Sequence, residues 1–193
     1  MPELRSLTWR VNWYRYSEIE GAMLLGRCIR HATDPYLVRE LTRHAAEEAR
    51  HSWLWTRAID AAGLATVRIH RSYQSFYRDE LAAPRSLMEL LALTHVFEHR
   101  VEQAFTDELS GFGVPEPIRR AFAVMLHDER HHLHWIGQWL ASQPHARVVL
   151  DRYRTADERV IRRLMPFRER LWDVSGLGEE FGSDVGVEAV STV

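Results

Sequence analysis

The chain has 193 residues, 46% of them hydrophobic and 27% charged, with a formal net charge of −2. That length supports one domain with a substantial core, and that charge gives no general field to draw the protein to nucleic acid or an anionic membrane. All 25 basic residues are arginine, which excludes a Walker-type phosphate loop and a Schiff-base lysine, and the single cysteine, Cys28, excludes an intramolecular disulfide, a CxxC metal site and a cysteine-ligated cluster.

The pattern predicts an all-α chain. Leu7, Val11, Tyr14, Gly21, Ala22, Leu25, Ile29 and Ala32 recur at the 3.6-residue period and mark a first helix. Asp34-Pro35 reads as the N-cap and first residue of a second. That helix carries Leu37, Leu41, His44, Ala45, Glu48, His51, Trp55 and Ile59 on one face and stops at Gly63. Residues 64–85 lack a long period and predict a crossover connection with a short helix around Tyr73–Leu81. Ser86-Leu87-Met88-Glu89 has the form of a capping box and opens the third long helix. Its face is Leu87, Leu91, Thr94, His95, Glu98, Val101, Glu102, Phe105 and Leu109. After the break at Gly111–Pro117, the fourth carries Ile118, Phe122, Met125, Leu126, Glu129, His132, Leu133, Ile136 and Leu140.

Beyond Pro144 a C-terminal fifth helix is expected near 148–172, edged by Val160, Leu164, Phe167 and Leu171. Residues 173–193 read as a flexible acidic tail, leaving 1–172 as one helical bundle domain. No apolar run is long enough to span a membrane. Met1-Pro2-Glu3-Leu4-Arg5 lacks the apolar stretch of a signal peptide, so a cytoplasmic location is expected.

Four carboxylates and two histidines fall on these helices in one pattern: Glu18, Glu48-x-x-His51, Glu98 and Glu129-x-x-His132. The i,i+3 spacing places Glu and His one turn apart on the same face. One such motif is weak evidence in a histidine-rich helical chain. Two of them, each with an upstream Glu, are much less accidental. A bundle with a Glu on each of two helices and Glu-x-x-His on the other two can hold a pair of iron or manganese ions. Buried carboxylates are costly without partners, and four facing one core repel one another; two divalent cations relieve both problems. The competing reading is a metal-free bundle with internal Glu–His and Glu–Arg pairs.

Periodicity favours Glu18 over Glu20, because Glu20 shares its face with Trp9, Arg27 and His31; symmetry about the first hairpin fits Glu20 slightly better. Glu48 lies on the apolar face, whereas Glu47 aligns with Glu40, Arg43 and Arg50. Glu129 is favoured over Asp128 by a smaller margin.

With these residues, the region from about 7 to 142 resembles the ferritin-like di-iron carboxylate superfamily, which includes rubrerythrins, bacterioferritins and oxygen-activating di-iron enzymes. The resemblance implies two antiparallel helical hairpins joined by a long crossover, here with a fifth helix added. It implies Glu18, Glu48, His51, Glu98, Glu129 and His132 as ligands of two iron ions, with manganese or a mixed pair as alternatives, and two of the glutamates as bridges. Gly21 and Ala22 are similar to the small residues that follow the first-helix Glu in that superfamily. Glu47 and Asp128 resemble carboxylates that orient ligand histidines, the alternative being a solvated helix edge. His95 and Glu102 are the catalytic candidates, and His44, His95 or Glu102 is open as a seventh ligand or proton shuttle. Trp55, one turn after His51, is expected to pack, with electron transfer as the alternative.

The implied activity is activation of dioxygen or peroxide to oxidise a small organic substrate, with electrons from a separate donor. The alternative is a ferroxidase, an iron-storage subunit or a peroxide scavenger. Tyr14, Trp55, Phe105, Phe122 and Met125 are expected to line the pocket, and Trp9, Trp13 and Trp139 to mark a homodimer surface. Two departures narrow the match. The chain cannot supply the four-cysteine segment of a full rubrerythrin, and Ala49 stands where a bacterioferritin has its haem-ligating Met.

Overall fold

The computed structural model describes residues 2–69, 73–111 and 113–168. Among them are six helices and no strand: α1 (Pro2–Ile29), α2 (Pro35–Ala61), α3 (Tyr73–Leu81), α4 (Leu87–Ser110), α5 (Glu116–Ala141) and α6 (Ala146–Arg168). Local chemistry sets several of these ends. The Asp34 side chain accepts the Tyr36 N–H before Pro35 begins α2. At the start of α4, Ser86 accepts the Glu89 N–H while Glu89 accepts the Arg85 N–H, so two otherwise orphaned donors are satisfied. Gly63, at φ +65°, takes the left-handed conformation that releases the chain from α2.

Contacts between side chains give the helix directions. Trp55 donates to Glu18 and Ser52 to the Arg15 carbonyl, and because only residues 30–34 link α1 to α2, helices packed along their length across so short a turn run antiparallel. Arg130 pairs with Glu102, and His51 and His132 reach Asp128 and Glu47, which makes α5 antiparallel to both α4 and α2. Arg10 near the start of α1 pairs with Glu108 near the end of α4. Hence α2 and α4 point the same way, and the chain must travel back along the bundle between them. Described residues 62–69 and 73–86 belong to this link. They are held to α1 by the fully buried Asn12, which donates to the Ala65 carbonyl and accepts the Val67 N–H, and by Gln74, which donates to the Ser17 carbonyl.

Two hydrophobic clusters fill the bundle. One gathers Leu7, Val11, Trp55, Ile59, Phe105, Ile118, Phe122 and Met125. The other gathers Leu25, Leu41, Tyr77, Leu90, Leu91, Trp135, Ile136, Tyr153 and Val160. The first half of α4 is buried nearly all round, from Leu90 through Thr94, rather than along one stripe. Its far side is covered by α6 (Ala146–Arg168), which starts slightly before the expected 148 and runs to the last described residue. Asp157 of α6 is buried and accepts from both Tyr77 of α3 and Arg100 of α4, tying three helices together. The expected tail at 173–193, Leu171, and the side chains of Leu164 and Phe167 lie outside the described residues.

The tryptophans expected at the surface are largely consumed by packing. Trp9 is buried and lies against Trp13, while Trp13 and Trp139 sit on the second cluster. Among the described residues, Trp53 is instead the exposed tryptophan, at 60%. No helix among the described residues is long and apolar enough to cross a membrane.

Candidate metal centre

Glu18 of α1, Glu48 and His51 of α2, Glu98 of α4, and Glu129 and His132 of α5 are all buried and meet at the bundle centre. Glu18 is the inward residue of α1, while Glu20 is half-buried and interacts with Tyr16. A seventh residue, His44, joins them. The donors form two groups, Glu18, Glu48, His51 and Glu129, and His44, Glu48, Glu98 and His132, each with ligand atoms within 4.8 Å of one another. Glu48 belongs to both.

Distances show how closely the groups interlock. His51 Nδ1 lies 3.2 Å from Glu129 Oε1, 3.7 Å from Glu48 Oε1 and 3.8 Å from Glu18 Oε2. His132 Nδ1 lies 3.2 Å from Glu129 Oε2 and 3.6 Å from Glu48 Oε1. Glu129 thus turns one oxygen to each histidine, and Glu48 Oε1 faces both. His44 Nε2 is 3.2 Å from Glu98 Oε1 and 3.5 Å from Glu48 Oε1.

Outside this ring the two histidines are held reciprocally. His51 Nε2 donates to Asp128 Oδ2 at 3.0 Å, and His132 Nε2 donates to Glu47 Oε2 at 2.9 Å. Each outer carboxylate precedes the ligand-motif Glu on the opposite helix and is itself paired with an arginine of α2, Arg50 with Asp128 and Arg43 with Glu47. A carboxylate only accepts, so Nε2 must be the donor. In the neutral ring Nδ1 then carries the lone pair, and it faces the cluster. The outer carboxylates and the Trp55 indole, which donates to Glu18 Oε1 at 3.3 Å, complete the setting.

Without a cation, protons must separate the charges. Burial, then the carboxylates of Glu18 and Glu129, push Glu48 well above the usual carboxylate range. Burial with Glu129 and Glu48 does the same to Glu98. Glu129 goes the other way: burial opposes its ionisation, but His132 and His51 outweigh that and hold it well below the usual range. Burial lowers His51, but the facing Glu129 and Glu18 push it up to about 12. His132 is likewise raised against burial by Glu129 and Glu47. His44 is kept neutral by burial and by His132.

Several buried polar atoms remain without a hydrogen-bond partner, among them Glu48 Oε1, Glu129 Oε1 and His51 Nδ1. These are the atoms that converge between the helices. Buried polar atoms without partners are costly, and oxygen and imidazole donors suit iron or manganese. The four carboxylates, Glu18, Glu48, Glu98 and Glu129, would carry charge equal and opposite to two divalent ions. The residues therefore fit a pair of metal ions.

The catalytic candidates lie apart from this convergence. Glu102 turns to Arg130 at 3.2 Å. His95 is half-buried, lies edge-on to His99, and is lowered to about 4 by burial and by His99 and Arg154. Neither is within the two ligand groups. Of the neighbours of His132, His134 is exposed, while His131 is half-buried and lies 3.5 Å from Glu40. The residues expected to line a pocket pack into one another: Tyr14, Trp55, Phe105 and Phe122 have ring centroids 4.8–6.0 Å apart.

Sequence reasoning missed Arg43 and Arg50 as supports of the outer carboxylates; the i,i+4 offset of Arg43 from Glu47 was a local signal, whereas Arg50 meets Asp128 across helices and has none. It also missed the Trp55 hydrogen bond to Glu18. Compared with protein-family models, curated proteins and solved structures, the chain matches none.

Proposed function

We propose that this chain is a ferritin-like dimetal carboxylate oxidoreductase, its metals a pair of iron ions or a manganese–iron pair, which activates dioxygen or peroxide to oxidise a small organic substrate. The observation that carries the reading is the pair of overlapping ligand groups that share Glu48. A bound ferrous pair supplies electrons to the oxidant. The chain's own residues do the rest. Glu18, Glu48, Glu98 and Glu129 balance the charge of two divalent cations. Asp128 and Glu47 fix the ring orientation of His51 and His132 at their Nε2 protons, leaving Nδ1 to the metals. Trp55, Phe105 and Phe122, all fully buried, keep water from one end of the site.

A second reading, a ferroxidase or peroxide scavenger, is favoured by one feature. The aromatic side chains fill the space beside Glu18 rather than line an opening there, and a small inorganic oxidant needs little room.

The test is anaerobic ferrous loading of the purified chain, followed by oxygen. The proposal expects saturation at two irons per chain, oxygen consumption, and repeated turnover only with an organic substrate and a reductant. Uptake of hundreds of irons in a hollow particle would move the protein to storage. Turnover on peroxide alone would favour the scavenger, and binding of at most one iron would sink the dimetal reading.

A further inference from the structure

We infer that the two metal positions are unequal, and that His44 makes the position shared with Glu98 and His132 the nitrogen-rich one, which binds imidazole-seeking metals first. This rests on the dimetal reading above and goes beyond it in assigning an order of filling.

The inference starts from a broken symmetry. The two halves of the bundle correspond residue for residue: Glu18 with Glu98, Glu48 with Glu129, His51 with His132, and Glu47 with Asp128. One turn before Glu48 the pattern fails. His44 occupies that place on α2, whereas the equivalent place on α5 is Met125. Both are buried, but Met125 packs in the cluster around Trp55 while His44 brings its Nε2 within 3.2 Å of Glu98 and 3.5 Å of Glu48. The partners of the two upstream carboxylates differ in the same way. Glu18 receives the indole N–H of Trp55, which cannot bind a metal, and Glu98 faces an imidazole, which can.

The donor sets follow. One position has three carboxylates and one imidazole (Glu18, Glu48, Glu129, His51). The other has two imidazoles (His44, His132) with Glu48 and Glu98, and the second oxygen of Glu129 also reaches His132 there, so the two positions differ by one imidazole. Carboxylate-rich sites suit manganese and magnesium, while imidazole favours later metals such as iron and cobalt. The atom of His44 that faces the cluster is Nε2, while Nδ1 on the far edge of the ring makes no hydrogen bond that could hold it. The ring is instead fixed by stacking on His132 at 3.5 Å and by the edge of Trp135 at 5.9 Å.

The experiment is a titration of the metal-stripped full chain with Co(II) under anaerobic conditions, repeated on His44→Gln. Glutamine can still donate a hydrogen bond to Glu98 but offers no imidazole, so a merely structural role survives the change and a ligand role does not. We expect two binding steps in the wild type, separated by at least about tenfold, the lower limit of what even an outer partner of a ligand contributes. In His44→Gln the tighter step should weaken until the two merge. Retention of two separated steps in the folded variant would overturn the assignment. Two equal steps in the wild type would also overturn it while leaving the dimetal reading intact; binding of one ion or none would overturn that reading too. A measurement on the wild type alone guards against a variant that fails to fold. One equivalent each of Co(II) and Mn(II) should give a single mixed species by electron paramagnetic resonance, and a statistical mixture would refute the inequality.

Discussion

The Glu18 end and the Glu98 end of the buried cluster are built from the same residue types, yet they are held differently. At the Glu18 end the carboxylate accepts from an indole and backs onto close-packed aromatic rings. Across the centre, Glu98 meets His44, whose ring lies on His132. The outer surroundings differ as well. α1 leaves Ile19 and Met23 exposed, whereas α4 is sandwiched between the bundle and α6. A repeated ligand motif therefore does not produce two equal sites. The motif delivers the common donors, and packing around each copy decides what else faces them.

The largest expected effect comes from breaking what the two ends share. Glu48→Ala should take the metal content from two ions to none after anaerobic ferrous loading, since Glu48 serves both groups. Glu18→Ala should lose only one ion, and Glu20→Ala none. Equal losses in the Glu48 and Glu18 variants, read by elemental analysis, would erase the distinction between a shared and a private ligand.

Next come the outer carboxylates. Asp128→Asn and Glu47→Gln should each weaken metal binding by about 10–100-fold, because each replaces the charged acceptor that fixes one histidine with a neutral amide. Unchanged affinity in a competition titration would make these residues a solvated edge after all.

A pH series sharpens the comparison between the empty and the filled centre. In the empty protein His51 is raised to about 12, and His132, Glu48 and Glu98 are raised too. The favourable contribution of His51 is complete below its ordinary value near 6.5 and is lost as pH rises through its folded value. The raised carboxyl groups have the same sign, while Glu129 and His44, shifted down, act only at lower pH. From pH 6.5 upward, then, urea midpoints of the metal-free protein should fall. Metal affinity should rise over the same range, because the ions displace those protons. Parallel slopes in the two measurements would contradict the proton assignment.

The smallest effect tests the outer layer. Asp157→Ala should cost about 1–3 kcal/mol in urea unfolding, the penalty for stranding a buried hydroxyl, here that of Tyr77. Loss of metal in that variant would mean that α6 shapes the Glu98 end more directly than its contacts imply.

Much of this could be read from the sequence, for identifiable reasons. The convergence of Glu18, Glu48, His51, Glu98, Glu129 and His132 was legible because i,i+3 spacing and an apolar face are local properties of a helix. The short α3 and the crossover were legible from the missing period and the capping box at Ser86. Choosing among the extra polar groups was harder. His44 precedes its Glu by four residues and His95 by three, a difference of about 100° around a helix. Only the packed bundle shows that the first offset points to the centre and that His95 and Glu102 do not reach it. The burial of the first half of α4 depends on α6, which follows only after the whole of α5 in sequence. Composition could name Tyr14, Trp55, Phe105 and Phe122 as inward-facing, but whether rings line a space or fill it is a question of three-dimensional fit.

Gly21 sets stability against function at a single atom. A Cβ there would sit 2.9 Å from Glu48 Oε2. By helix propensity alone, Gly21→Ala should strengthen α1 by about 0.5–1 kcal/mol. In the metal-free protein the Glu48 side chain can yield to the new methyl. If that carboxylate held two cations it would have little freedom to do so, and the same methyl would become an obstruction. The variant should thus melt higher when empty and gain less from loading. Selection for a sturdier helix alone would fill this gap and close the space in which the shared carboxylate moves.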